Sequence, residues 1–357
     1  MNAINHKARA SGILLTIAAF VVVIAGMSAA KVILVPFLLA AFIAIVSAPP
    51  LFWLQRKGLP AWLSLLIVVL GVLLIVLLVA GLVGTSVRDF SKDLPGYEAK
   101  LRQQTTLIIG LLEKLGVDTS GPALTEIFNL GAAMKLVATL LNSLGNVLTN
   151  GFLILMTEIF MLMEASSFPA KLRRVLGGPE SSLERFNNFI DTVKHYMAIK
   201  TLISLATGTF VAIWLAIIGV NYAMLWGLLA FALNYVPNIG SIIAAVPAVL
   251  LAIVQLGVLK ALVVAAGYMG INIIMGNFLE PRFMGRGLGL STLVVFLSLL
   301  FWGWVLGPVG MLLSVPLTMT AKIALESKDD TRWIAVLLGP KGSSGSGIQK
   351  KGAGLRS

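Results

Sequence analysis

The chain has 357 residues, of which 58% are hydrophobic and 12% charged, and its mean hydropathy is +0.96. Soluble globular proteins are nearer a quarter charged, so this composition indicates a polytopic membrane protein and excludes a set of soluble domains. Cysteine is absent and there are two histidines in separate segments, so we expect no disulfide and no zinc, haem or other metal centre. The net charge of +12 fits basic cytoplasmic loops that face anionic lipid, not a nucleic-acid partner.

A membrane-spanning helix needs about 20 apolar residues. The sequence contains candidate runs of this kind, in chain order Ile13–Ala30, Val32–Ser47, Ala61–Gly84, Val147–Met163, Leu202–Val220, Tyr222–Leu256, Ala261–Phe278 and Ser291–Leu325. They predict an all-α bundle of about eight transmembrane helices, and we expect the first to be an uncleaved helix and not a signal peptide.

Polar stretches divide the chain into four parts. We expect the first three helices in 1–84, an extramembrane segment in 85–145, a transporter core in 146–330 and a tail in 331–357. Apolar residues recur at helical spacing within the extramembrane segment, which predicts amphipathic helices there. The tail is rich in Gly, Ser and basic residues, so we expect a disordered arm.

Charge bias predicts the orientation of the helices. The turn with Arg56 and Lys57 is basic, and 166–200 holds six basic residues against three acidic ones. In 85–145, by contrast, six basic and six acidic residues balance. We therefore expect both termini and 166–200 in the cytoplasm, with 85–145 outside.

Two of the apolar runs are too long for one crossing. Each has about 35 residues, which at 1.5 Å per residue exceeds a hydrocarbon core of roughly 30 Å. Both are interrupted near the middle by proline and glycine. Paired interruptions are typical of transporter sites built from discontinuous helices. We predict broken or re-entrant helices at 234–241 and 307–310.

The first break places polar residues beside its proline and glycine. Proline removes a backbone donor, and an unsatisfied polar group in lipid costs several kcal/mol. Irregular backbone is tolerated at that depth only where protein buries it or a wet cavity borders it. We predict a substrate-binding or translocation cavity here, and the alternative is a proline kink that the asparagines cap. The candidate residues are Asn234, Pro237, Asn238, Gly240 and Ser241.

A second polar set lies in the stretch NIIMGNFLEPRFMGRGLG. Ionisable residues near membrane depth are functional candidates, and a proline restricts the residue before it. We therefore expect Glu280-Pro281-Arg282 to end the helix, with Glu280 paired to Arg282 or elsewhere in the bundle. The candidate residues are Asn272, Asn277, Glu280, Pro281, Arg282, Gly285 and Arg286.

Two carboxylates belong to the fourth predicted helix. Glu164 lies at its cytoplasmic end, where a solvated carboxylate is the simple interpretation. Glu158 lies about two turns deeper, where burial favours a protonated carboxyl. Both are candidates for a proton relay, and the alternative for Glu158 is a neutral side chain bonded to a neighbouring helix.

Three stretches of the sequence resemble a known family. They are LLAFALNYVPNIGSIIAAVP, GNFLEPRFMGRGLGLSTLVVFLSLLFWGWVLGPVGMLLSVPLTMTAKIALE and the shorter VKHYMAIKT. They are similar to the autoinducer-2 exporter (AI-2E) family of bacterial inner-membrane proteins, and most of all to its quorum-sensing-signal transport member. The similarity runs over nearly the whole chain.

The resemblance implies several expectations. One is a homo-oligomer in the bacterial inner membrane, expected to be a homopentamer. Another is export of the autoinducer-2 furanone or control of its level inside the cell. Glu164 matches an acidic position of the family, whereas Glu158 falls where a relative in the family has an apolar residue, which weakens a family-wide proton role for Glu158. The residues at the family's motif positions are Pro237, Asn238, Gly240, Glu280, Pro281, Arg282 and Gly285.

Three functions remain open from the sequence. The first is a secondary transporter or facilitator for a small hydroxyl-rich signal, because amides bind hydroxyls without requiring charge. The second is a sodium (lithium)/proton antiporter that uses an intramembrane carboxylate, an activity associated with some family members. The third is an oligomeric scaffold without transport. We expect no enzyme and no cofactor, because neither a P-loop nor a nucleophile–base set is present.

Overall fold

The structure is a computed structural model that describes residues 18–114, 139, 150–165, 171, 180–237, 239–284, 289–326 and 331–339. Within these ranges all regular secondary structure is helical and no β-strand occurs. The prediction of an all-α polytopic membrane protein is confirmed.

The described helices follow one another in chain order. They are α1 (Ala18–Ala29), α2 (Lys31–Arg56), α3 (Ala61–Lys114), α4 (Gly151–Ala165), α5 (Glu180–Ile218), α6 (Ala223–Leu233), α7 (Ile239–Leu256), α8 (Val258–Asn272), a π-helix (Ile273–Leu279), α9 (Glu280–Met284), α10 (Thr292–Leu306), α11 (Pro308–Glu326) and α12 (Arg332–Leu337).

Six stretches of helix in the described ranges are long and apolar enough to cross a membrane. They are Lys31–Arg56, Ala61–Asp93, Ile190–Ile218, Ile239–Leu256, Val258–Phe283 and Pro308–Glu326. The shorter apolar helices are α1, α6 and α10. Many apolar side chains, such as Leu77 and Ile217, are exposed on these helices, as expected where lipid acyl chains surround the protein.

The chain divides into two compact units. The terminal unit consists of Met1–Ile43 with Arg286–Ser357, and the central unit consists of Ala44–Gly285. Helix α2 contributes residues to both.

The core of the central unit lies among α5, α6, α7 and α8. Its buried side chains include Leu215, Trp226 and Leu251. Helices α5 and α6 cross closely at two glycines, because a Cβ on Gly208 would lie 2.6 Å from the Gly227 carbonyl oxygen. Small residues at a crossing let backbones approach and increase van der Waals contact, which drives helix association in lipid.

A polar cluster joins α3 to the loop between α5 and α6. The Tyr222 hydroxyl donates to Asp93 Oδ2 over 2.6 Å, and Gln255 Nε2 donates to the Tyr97 hydroxyl over 3.0 Å. Tyr222 has a φ of 61°, a left-handed conformation that is costly for a residue with a side chain. Burial and the bond to Asp93 raise the pKa of Tyr222, so its hydroxyl remains a donor at physiological pH.

The terminal unit contains a helical hairpin of α10 and α11. The chain turns at Gly307, whose φ is +75°. Close packing depends on Gly310, because a Cβ there would fall onto the Trp302 carbonyl oxygen. The Trp302 indole then donates to Thr318 Oγ1 over 3.0 Å.

Two sequence expectations are wrong in this architecture. Glu280-Pro281-Arg282 does not end a helix, because the π-helix continues directly into α9. Pro281 is the second residue of α9, and proline is tolerated in the first turn of an α-helix. The tail also does not begin at residue 331, because α12 is helical, Ala335 is buried, and the Ser291 amide donates to the Leu338 carbonyl.

Candidate functional site

The first break separates α6 from α7 in the central unit. Helix α6 ends at Leu233 and α7 begins at Ile239. The turn is tight, because the Val236 amide donates to the Leu233 carbonyl over 2.9 Å. A Cβ on Gly240 would fall onto that same carbonyl oxygen, so the restart of the helix requires glycine here.

Two side chains of the break bond to α5. Asn234 Nδ2 donates to Ser204 Oγ over 2.9 Å, and the Tyr235 hydroxyl donates to Thr201 Oγ1 over 2.8 Å. Ser204 is fully buried. Polar side chains therefore join the break to a neighbouring membrane helix. Tyr235 and Val236 of the break are buried, and irregular backbone is tolerated at membrane depth where protein covers it.

A buried ion pair joins α5 to α9. Its lysine, Lys200, lies one helical turn before Ser204 on α5. Lys200 Nζ is 2.6 Å from Oε1 and 2.8 Å from Oε2 of Glu280. The Lys200 side chain is 4% exposed and that of Glu280 is 19% exposed. Charges at this depth are costly unless they are paired, so this pair is a functional candidate.

The π-helix explains how Glu280 reaches α5. The Glu280 amide donates to the Met275 carbonyl, five residues earlier, where an α-helix would use the residue four earlier. The extra residue in this turn rotates the following side chains by about 100° about the helix axis. Such π-turns are frequent at functional sites.

The residues in these contacts form a polar seam, in which we include Tyr196, buried one helical turn before Lys200 on α5. The seam consists of Tyr196, Lys200, Thr201 and Ser204 of α5, Asn234 and Tyr235 of the break, and Glu280 of α9. Three members of α5 are spaced by four residues and therefore lie on one face of the helix. The seam offers hydroxyl, amide, ammonium and carboxylate groups, which together can bind a polar solute with little net charge.

Of the predicted site residues, the structure brings Asn234 and Glu280 together in the seam. Gly240 is buried, and Pro237, Ser241 and Asn272 are half-buried. Asn277, Pro281 and Arg282 are exposed. The others, Asn238, Gly285 and Arg286, lie outside the described residues.

The two acidic candidates of α4 differ in environment. Glu158 is fully buried and accepts a hydrogen bond from Ser47 Oγ over 3.1 Å, while its Oε2 has no hydrogen-bond partner among the described residues. Glu164 is exposed and lies 2.6 Å from Lys171 Nζ. The described residues place no three acidic, histidine or cysteine side chains together in a way that could hold a metal ion.

Lys200 is the residue that sequence reasoning missed. Counting charges by segment assigned it to a cytoplasmic loop, whereas it is a buried member of α5. Its position four residues after Tyr196 and four before Ser204 was the available signal, because this spacing marks one helix face.

The second break differs from the first. Between α10 and α11 the chain runs Gly307-Pro308-Val309-Gly310, without a polar side chain. Nearby hydroxyls bond mostly to their own helix, as Ser314 does to the Met311 carbonyl over 2.8 Å. The prediction that this break borders a translocation cavity stays a prediction.

Comparison with known proteins gives consistent matches. The model of the AI-2E family transporter matches residues 17–329. The chain is 43% identical over 326 residues to the AI-2 transport protein TqsA of Escherichia coli K12, covering 91% of this chain and 95% of that protein. It is 42% identical over 332 residues to a Haemophilus influenzae protein (91% and 95%) and 39% identical over 328 residues to YhhT of Escherichia coli K12 (92% and 94%). These relatives are named as transport proteins.

Proposed function

The chain belongs to the AI-2E transporter family, and from that membership we propose that it is a secondary transporter or facilitator that exports autoinducer-2 by way of the polar seam. It is a multi-pass membrane protein of a transporter family and not an enzyme. The substrate proposal is supported by TqsA, which is named as an AI-2 transport protein.

The observation that carries the proposal is the joining of a helix break to a buried ion pair. Asn234 and Tyr235 bond to α5 within the two turns that also hold Lys200. Because each bond is made to another side chain, a solute can replace one partner without disrupting a backbone hydrogen bond. The break and the pair thus supply exchangeable donors and acceptors inside the bilayer.

The chemistry of the seam suits a hydroxylated solute. A carboxylate such as Glu280 accepts hydrogen bonds from two hydroxyls, and an ammonium such as Lys200 donates up to three. Asn234 both donates and accepts, so it can bond a hydroxyl in either direction. The paired charges add no net charge, which favours a neutral solute over a free ion.

Purified protein in liposomes loaded with labelled autoinducer-2 tests this proposal. We expect Lys200→Met to lower the efflux rate at least about tenfold, because Glu280 loses its cation and the seam its ammonium. Lys171→Met is the matched control, since Lys171 also pairs with a glutamate but is exposed. Equal efflux from both variants, each correctly assembled, would contradict the proposal.

Imposed ion gradients distinguish antiport from export. Under the proposal, labelled signal leaves liposomes that contain the wild type at least about tenfold faster than those that contain Lys200→Met. Sodium-dependent proton flux without signal transport would instead identify an antiporter, and transport of neither would favour a scaffold.

We further propose that the protein lies in the bacterial inner membrane as a homo-oligomer, which we expect to be a homopentamer, with both termini in the cytoplasm. The basic turn of Arg56 and Lys57 supports this orientation. Because the chain contains no cysteine, one cysteine introduced at Lys57 reports its side of the membrane with an impermeant thiol reagent. Labelling from the cytoplasmic side only is expected, and native mass spectrometry gives the subunit number.

A further inference from the structure

A second candidate binding site lies in the central unit, apart from the polar seam. It is a cavity of about 650 Å³ between the last part of α2, from Ala48 to Arg56, and Lys194 of α5. Small-molecule sites commonly measure about 300–1,000 Å³. The cavity is therefore large enough for a headgroup together with the glycerol part of a lipid.

Its walls are apolar apart from two basic side chains. Alanine, proline, phenylalanine and tryptophan of α2 form most of the lining, and Arg56 and Lys194 provide the polar groups. Lys57 adds a third cation close by, since its Nζ lies 5.6 Å from the centre of the Trp53 ring. The site thus combines an apolar surface with concentrated positive charge.

This positive charge has little internal compensation. In the described part of the chain, the carboxylate within ion-pair reach of these three cations is Asp191, 4.0 Å from Lys194 Nζ. Such a long contact between exposed groups contributes little. The charge is therefore available for an external anion.

The location identifies the kind of anion. Arg56 is the last residue of one candidate span, and Lys194 lies in the first turns of another, which begins at Ile190. Trp53 of the cavity wall is exposed, as is Trp62 at the start of the next helix, and tryptophan is enriched where membrane meets water. Basic residues at that level attract anionic headgroups.

We propose that this cavity binds the phosphodiester headgroup of an anionic phospholipid. Arg56 donates to two phosphate oxygens, Lys194 provides a second charge, and the proline and aromatic wall of α2 contacts the glycerol and upper acyl chains. A lipid held in this way links α2 to α5, the helix that carries Lys200.

Native mass spectrometry of delipidated full-length protein tests this site with added phosphatidylglycerol, phosphatidylcholine or inorganic phosphate. We expect wild-type protein to bind phosphatidylglycerol at least about tenfold more tightly than phosphatidylcholine, because each nearby cation favours an anionic lipid. Inorganic phosphate should not displace it, because phosphate gains nothing from the apolar wall. Equal binding of both lipids, or displacement by phosphate, would overturn the proposal.

The variant Arg56→Gln/Lys194→Gln should bind phosphatidylglycerol at least about tenfold more weakly. The matched control is Lys260→Gln/Arg332→Gln, which removes the same charge from exposed positions elsewhere and should bind like the wild type. Unchanged binding by the first variant, or equal loss in the control, would contradict a specific site.

Wild-type protein provides a test that does not depend on folding of a variant. Raising the salt concentration should weaken phosphatidylglycerol binding several-fold, because salt screens charges near a surface. Binding that does not respond to salt would overturn the charge-based part of the site.

Discussion

The two helix breaks have the same sequence signature but different surroundings. At 234–241 the side chains of Asn234 and Tyr235 bond to α5, next to a buried ion pair. At 307–310 the chain makes a hairpin turn packed by glycines, and its four residues carry no polar side chain. Proline and glycine in an apolar run thus specify an interruption, while the neighbouring helix decides whether the interruption is polar.

The difference follows from what each break contacts. Helix α5 presents Thr201 and Ser204 to the first break, and its Lys200 pairs with Glu280 of α9. The second packs against itself, with a side chain of Met311 beside Gly303 and the carbonyl of Trp302 beside Gly310. Substitutions at matched positions of the two breaks can therefore separate a role in transport from a role in packing.

The largest expected effect concerns the ion pair. Lys200→Met leaves a half-buried carboxylate without its cation, and breaking a buried pair costs about 3–5 kcal/mol. We expect this loss in the free energy of unfolding in mixed micelles. Adding Glu280→Gln should recover at least about half of it, because the stranded charge is gone. If Lys200→Met is as stable as the wild type, the ion pair contributes nothing to the free energy of unfolding.

Glycine substitutions compare the two breaks directly. A Cβ on Gly240 meets the Leu233 carbonyl, and one on Gly310 meets the Trp302 carbonyl. We expect either Gly→Ala change to cost about 1–3 kcal/mol, with loss of efflux per folded protein only for Gly240. Gly270→Ala is the control, since its surroundings are open and alanine favours a helix. Equal loss of efflux at Gly310 would remove the functional distinction between the breaks.

A threonine pair on α5 tests the bond from the break. Thr201 accepts from the Tyr235 hydroxyl, whereas Thr207 donates to the Ile203 carbonyl of its own helix. Thr201→Val should cost about 1 kcal/mol, and Thr207→Val should be close to neutral, because only the first removes a bond between elements. Thermal unfolding of both variants measures the difference. Equal destabilisation would indicate that the bond to the break has no special contribution.

The smallest effect is expected at Glu158, with Glu280 as the contrasting carboxylate. Glu158 has an oxygen without a described partner, so Glu158→Met should leave stability within about 1 kcal/mol of the wild type or raise it. Glu280→Met should be clearly destabilising, because it strands Lys200. Unfolding of both variants checks the contrast. Loss of the response to a proton gradient in Glu158→Met would assign this residue the relay role.

Much of the fold follows from local sequence patterns. Apolar runs predicted the helical membrane protein, and proline with glycine predicted where two of those runs are interrupted. Asn234 and Glu280 were selected because polar groups at membrane depth need partners. Each of these inferences uses a short window of sequence.

The partners themselves were not predictable in this way. Lys200 and Glu280 are 80 residues apart, and their contact depends on how α5 packs against the π-helix and α9. The π-turn has no sequence signature comparable to a proline, so Pro281 suggested a helix end. The Lys200–Glu280 contact and the π-turn both depend on tertiary packing, which the residue composition of a segment does not reveal.

Signal efflux from two matched variants tests most directly whether the polar seam handles the solute. Asn234→Ala removes the bond to Ser204 at the first break, and Thr318→Val removes the acceptor of Trp302 beside the second. Each loses one hydrogen bond, worth about 1 kcal/mol, so the two should be similarly stable. In liposomes, we expect Asn234→Ala to export labelled autoinducer-2 at least about fivefold more slowly and Thr318→Val to match the wild type. Undiminished export by Asn234→Ala, or equal loss in both variants, would contradict the account.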